Sequence, residues 1–222
     1  MASINDTLNK MRNAGKIMDM RGKGDYGEEA VLAICADRKK TIGKGLLYQS
    51  YMYPYQTDRS GTCYTGNIKY IDKKFVEFTN DSINDEIDVL YITPYRLFAI
   101  EVKSYHARTI DVYKHWSNRD GSPFEKSPIA QAEKHARHLY HMIYDVLPDG
   151  KTEYIVPIVC FVDRCKLRDD REDVDADYIP VCVLNNLLST INHYNSPLEY
   201  NLDLQAIEHK LKTNCVSIKR EL

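Results

Sequence analysis

The chain has 222 residues, 43% apolar and 28% charged, with a net charge of −2, which is enough to bury one sizeable core and too neutral to coat nucleic acid by bulk charge, although a local basic groove stays open. No apolar run approaches the ~20 residues of a membrane span, and MASINDTLNKMRNAGK lacks the apolar stretch of a signal peptide. The six cysteines (Cys35, Cys63, Cys160, Cys165, Cys182 and Cys215) are scattered without CxxC spacing, which argues against a disulfide framework or a zinc knuckle and for a reduced, cytoplasmic protein.

Residues 1–24 read as a polar arm or short helix. From Asp25, YGEEAVLAICADRK carries Val31, Ile34 and Cys35 at helical spacing and ends near the KTIGKG glycines. LLYQSYMYPYQ, rich in tyrosine, reads as a strand or irregular arm, and residues 56–67 as turns. NDEIDVLYITPYRLFAIEVKSY predicts two strands around a tight connection at Thr93-Pro94-Tyr95-Arg96. Residues 106–127 are polar, with a lone Trp116 that is read as a core residue before a base-stacking one. Ser127-Pro128 opens the clearest helix, a serine cap followed by proline at the first helical position, with an apolar stripe of Ile129, Ala132, Ala136, Leu139, Tyr140 and Ile143. TEYIVPIVCFVD reads as a buried strand, RCKLRDDREDVDAD as a charged loop and YIPVCVL as a further strand. Asn185 or Asn186 then caps the helix LLSTINHY, and a last amphipathic helix carries Leu204, Ile207 and Leu211. The order describes one mixed α/β domain over residues 25–222.

A turn centred between Pro94 and Tyr95 pairs residues whose numbers sum to 189. Asp88 then lies opposite Glu101, and alternation projects Asp88, Glu101 and Lys103 from one face. Two carboxylates that close raise each other's pKa, and a divalent cation between them reverses that sign. Mg²⁺, with Mn²⁺ as substitute, suits a few carboxylate oxygens and a substrate phosphate, while Lys103 is placed to assist a water or a phosphate oxygen. A structural salt bridge at a strand end is the alternative reading of the same three residues.

Four motifs in order strengthen the chemical reading: Gly27-Glu28, Glu86-Ile87-Asp88, Glu101-Val102-Lys103 and Ser127-Pro128-Ile129-Ala130-Gln131. Together they resemble the nuclease-related domain family, NERD, of the PD-(D/E)xK superfamily, over roughly residues 24–140. The resemblance implies a restriction-endonuclease-like fold, a mixed central β-sheet flanked by helices, here with a C-terminal helical addition and a motif core at 25–145. It implies Asp88 and Glu101 as metal ligands, with the Val102 backbone carbonyl as a candidate third, Lys103 as the catalytic lysine, and Glu28 and Gln131 in supporting catalytic roles. Three departures from the family pattern, Val89 for histidine, Ser127 for asparagine and no glycine in SYHARTID, leave the core residues untouched and bear on substrate access.

Gln131, His135 and His138 are expected on a polar helix face opposite the apolar stripe. Lys134, His135 and His138 are the candidate nucleic-acid contacts, against a plainer reading of the histidines as a solvated face. His135, His138 and His141 share a face only pairwise, which disfavours zinc. GxxxxGK[ST] and GxSxG are both absent, so an energy-driven step needs a separate ATPase or helicase partner, and a serine-hydrolase chemistry lacks its motif. The expected activity is metal-dependent phosphodiester hydrolysis, on DNA before RNA, with no membrane partner and with a homodimer left open. A silent nucleic-acid-binding or assembly module on the same fold is the rival.

Overall fold

The computed structural model describes residues 20–57, 63–65, 70–71, 74–75, 83–104, 107–110, 116–118, 121–123, 127–162, 168–171 and 178–222. Helix α1 (Met20–Ile42) begins upstream of the expected Asp25; glycines at 22 and 24 lower helical propensity there, so the apolar pattern starts later than the helix does. Ala30, Val31, Ile34 and Cys35 bury one stripe of it. Gly43 ends it at φ 76°, its N–H donating to the Lys39 carbonyl at 2.8 Å, a left-handed cap that glycine adopts without strain.

Strands β1 (Leu46–Thr57), β5 (Ile83–Ile92) and β6 (Leu97–Lys103) form the antiparallel centre. The connection between β5 and β6 closes with Thr93 N–H donating to the Arg96 carbonyl at 2.9 Å. The register has Leu90 opposite Ala99 and Ile92 opposite Leu97, as the sum of 189 requires. On its other edge β6 runs parallel to β9 (Ile155–Phe161), which is parallel to β11 (Val181–Val183). With β12 (Ser217–Glu221) at the far edge, the sheet order is β11-β9-β6-β5-β1-β12, and β2 (Cys63–Thr65) is also paired to β1. Edge strand β12 was not expected. Of its five residues, four are exposed, which leaves almost no alternating apolar signal to read.

Helices cover both faces. Apolar residues of α1 and of α3 (Leu187–Tyr194) pack on one side of the sheet with Val89, Tyr91, Phe98 and Ile100. Those of α2 (Pro128–Ile143) and α4 (Leu204–Asn214) pack on the other with Leu90, Ile92, Leu97 and Ala99. The result is the mixed, restriction-endonuclease-like α/β layering the resemblance implied, C-terminal helices included. Two further short pairings, β3 (Tyr70–Ile71) with β4 (Lys74–Phe75), and β7 (Ala107–Ile110) with β8 (Trp116–Asn118) and β10 (Arg168–Asp169), arise where no strand was expected. Trp116 is a core residue, its ring 5.6 Å from that of Phe161. Ser127 caps α2, accepting from Ala130 N–H at 3.3 Å. Asn186 stands at the start of α3 but makes no side-chain cap bond; a preceding 3-10 turn at Leu184–Asn186 leads into the helix instead. Cys35, Cys160, Cys182 and Cys215 are free thiols. Among the described residues no helix is long and apolar enough to cross a membrane.

One irregularity sets up the site. The β1–β5 register is the same on either side of Ser50 and Asp88, yet Tyr48 and Leu90 pack toward α2 and so do Tyr51 and Ile87, three positions along each strand. Strict alternation forbids that spacing. Ser50 absorbs the change at φ 51°, a left-handed conformation costly for a residue with a Cβ. Over residues 85–88, β5 sends Asp85 and Ile87 toward α2 and Glu86 and Asp88 toward α1.

Candidate active site at the opening between β5 and β6

The hydrogen-bonded ladder between β5 and β6 stops at Val89 and Ile100, whereas β6 stays paired to β9 through Lys103. The two central strands therefore part at Asp88, and the Asp88 carboxylate occupies the opening. Its Oδ2 accepts the Val102 N–H at 2.7 Å, in place of a backbone partner. The Lys103 carbonyl accepts from Val162 N–H on the β9 side, so by strand alternation the Val102 N–H and C=O both face the opening.

Helix α1 supplies Glu28 from the other side. A Cβ at Gly27 would come 3.1 Å from Val162 Cγ2 and 3.2 Å from Val102 Cγ1, so the glycine permits the close helix-to-sheet approach that brings Glu28 in. Glu28 Oε2 accepts from Gln49 Nε2 and Ser50 Oγ, each at 3.2 Å, and Lys219 on β12 lies 3.9 Å away. Ligand atoms of Glu28, Glu86 and Asp88 come within 4.8 Å of one another. Burial raises the Glu28 carboxyl above its ordinary range, against these hydrogen bonds.

Glu101 and Lys103 face α2. Lys103 Nζ pairs with Glu101 Oε1 and donates to Gln131 Oε1 at 3.1 Å. Glu101 Oε2 lies 3.1 Å from His135 Nδ1, and His135 Nε2 lies 3.3 Å from Asp85 Oδ1. Glu101, His135 and His138 are each only 2% exposed. The solvated-face reading of the histidines is thereby corrected: the buried stripe of α2 includes Ala132, His135, His138 and Leu139, one wide face in which two imidazoles replace aliphatic side chains. Lys134, His135 and His138 converge on Asp85, with Lys134 Nζ at 2.6 Å and His138 Nδ1 at 3.6 Å from its Oδ2. Burial works against the Asp85 charge, but hydrogen bonds from His135, His138 and Lys134 outweigh it and hold the carboxyl far below its usual range. Burial likewise opposes the His135 charge, and Asp85 and Glu101 overcome it, raising the imidazole to about 9.

The expectation that Asp88, Glu101 and Lys103 leave one face holds for the last two. Asp88 turns instead into the opening, grouped by distance with Glu28 and Glu86 while Glu101 stands outside that trio. Asp88 is nonetheless the member that links both sides. Burial, and next the negative charge of Glu101, push its carboxyl up to about 7, with Glu28 adding to the effect. Reading by alternation missed Asp85, Gln49 and Ser50. The adjacent Asp85-Glu86 pair at a strand start was the available signal, since a strand sends neighbouring carboxylates to opposite faces.

The donor set fits a hard divalent cation: carboxylates from two elements, α1 and β5, with a backbone carbonyl facing the same opening. A mixed sheet whose central strands separate around buried carboxylates and a lysine is a nuclease-like layout. The chain belongs to the nuclease-related domain family (NERD), which matches residues 23–162. Among curated proteins and among solved structures no match is found.

Proposed function

We propose that this protein is a Mg²⁺-dependent phosphodiesterase that cleaves DNA at the opening between β5 and β6. The observation that carries the proposal is the placement of the Asp88 carboxylate in the opening, on the Val102 N–H at 2.7 Å and within 4.8 Å of the ligand atoms of Glu28 and Glu86. The half-buried Asp88 carboxyl, raised to about 7 by desolvation and by Glu101, is relieved when a divalent cation is present, because the cation reverses the sign of the local field.

Asp88 and Glu101 would hold the ion, with the Val102 carbonyl beside them and Glu28 supporting Asp88 from α1. The ion supplies charge neutralisation at the scissile phosphate. The protein's own groups do the rest. Lys103, aimed by Gln131 at 3.1 Å, orients the attacking water and donates to the charge that develops on the phosphate oxygens. Packing of Gly27 against Val102 and Val162 keeps α1, and so Glu28, close to the reacting centre.

The test is incubation of purified protein with supercoiled plasmid, linear duplex and RNA in Mg²⁺, Mn²⁺ or EDTA. The expected result is DNA cleavage that stops with EDTA and falls about 10²–10³-fold in Lys103→Ala, the loss typical of one charge-stabilising group. If wild type and Lys103→Ala are equally inert across the metals while both bind DNA, the chain is a binding module. Cleavage confined to RNA would reassign the substrate.

A further inference from the structure

One helical turn beyond Gln131, His135 is enclosed between two carboxylates, Nδ1 facing Glu101 Oε2 at 3.1 Å and Nε2 facing Asp85 Oδ1 at 3.3 Å. Lys103 engages the opposite oxygen of Glu101. Asp85 is fixed in turn by Lys134 at 2.6 Å and by the Tyr53 hydroxyl at 3.4 Å. Tyr53 also lies 3.1 Å from His138 Nδ1. A linked series therefore runs Gln131, Lys103, Glu101, His135, Asp85, and its middle is closed to solvent.

A glutamate side chain has three torsions and two equivalent oxygens, and fixing one oxygen on an ion loses that freedom. A planar ring clamped between two anions removes it beforehand. We propose that His135 is a positioning residue, anchored on Asp85, that holds Glu101 Oε2 and so leaves Oε1, the oxygen on the Lys103 side, as the one offered to a divalent cation. This rests on the metal-dependent reading given above. It gives His135 no contact with substrate. It makes Asp85, a residue outside the acidic trio, part of what determines cation affinity. Groups that orient a metal ligand in this way change affinity by roughly 10–100-fold when lost.

Asparagine and glutamine separate the two ring nitrogens. The amide of His135→Asn reaches about as far as Nδ1 and keeps a donor for Glu101; that of His135→Gln reaches about as far as Nε2 and keeps Asp85. Calorimetric titration of the full chain with Mn²⁺, alongside thermal melts, reads the difference without any activity assay. His135→Gln, which loses the Glu101 contact, is expected to bind Mn²⁺ roughly 10–100-fold more weakly than wild type, and His135→Asn, which keeps that contact but loses the Asp85 anchor, to fall between the two, with melting temperatures similar in the two variants. Equal affinity in His135→Gln and wild type, or equal weakening in both variants, would overturn the positioning role. Asp85→Asn removes the anchor while keeping side-chain size, and serves where either histidine variant fails to fold. It is expected to weaken Mn²⁺ binding, and unchanged affinity would overturn the anchoring. Wild type that binds no Mn²⁺ would overturn the metal reading itself, and this inference with it.

Discussion

Replacing Asp88 with asparagine should stabilise the fold in the absence of metal. Folding moves the Asp88 carboxyl from 3.8 to about 7, so the folded chain keeps a proton that the unfolded chain has already released in that interval. Stability therefore falls as pH rises from about 4 to 7 and stays lowered above it. A difference of roughly 3 in pKa at 1.36 kcal/mol each puts the deficit at about 4 kcal/mol, an upper bound because a buried carboxylate relaxes its surroundings. Asparagine is neutral, and its amide oxygen still accepts the Val102 N–H. Recovery of even about 2 kcal/mol raises the melting temperature of a chain this size by about 4–8 °C. The assay is thermal melting of wild type and Asp88→Asn in EDTA at pH 4, 5.5, 7 and 8. The variant should melt higher at pH 8, with the gap closing toward pH 4. Mg²⁺ should then raise the wild type selectively, by about 2.7 kcal/mol at a hundredfold excess over Kd. A variant less stable than wild type at pH 8 in EDTA, or a gap unchanged by pH, would refute the reasoning.

His135 titrates in the opposite sense. Its folded pKa of about 9 gives a contribution that is complete below about 6.5 and is lost as pH rises through 9. The stability advantage of wild type over His135→Asn should shrink across that window by at most about 3 kcal/mol, read from urea melts at pH 6 and 9.5. Gly27→Ala places a methyl 3.1 Å from Val162 and should lower stability by about 1–3 kcal/mol through overpacking. It should also weaken cation binding as α1 moves outward, measurable by calorimetry. Ser127→Ala removes the cap on Ala130 N–H and should lose about 1 kcal/mol by denaturant titration, with α2 frayed at Gln131.

The hairpin was legible because apolar alternation on both strands and a proline turn constrain one register, and Leu90 does face Ala99. The Ser127-Pro128 start of α2 was legible for a similar reason, a local cap that needs no tertiary partner. Asp88 was found as a residue but misplaced as a direction. Alternation counts only within one strand, whereas the change of face occurs across the Ser50–Asp88 position of two strands, and a serine at φ 51° carries no sequence mark. His135 and His138 were assigned to solvent because histidine counts as polar. Their burial depends on Asp85, about fifty residues away in sequence and adjacent only once the helix lies on the sheet. Strand β12 was missed since an edge strand beside Glu28 and α1 is best made of lysine, arginine and glutamate, and such a run reads as loop.

The bond from Val102 N–H to Asp88 has a spectroscopic use. Most sheet amides are held by another backbone and open with their strand. The Val102 proton is held instead by a single titratable side chain. Its exchange with solvent, and its chemical shift, should respond to whatever occupies that carboxylate, whether a proton near neutral pH or a cation drawing Oδ2 away. One backbone resonance at position 102 thus reports the state of the opening between β5 and β6 in the intact protein, with no substrate present and no residue altered.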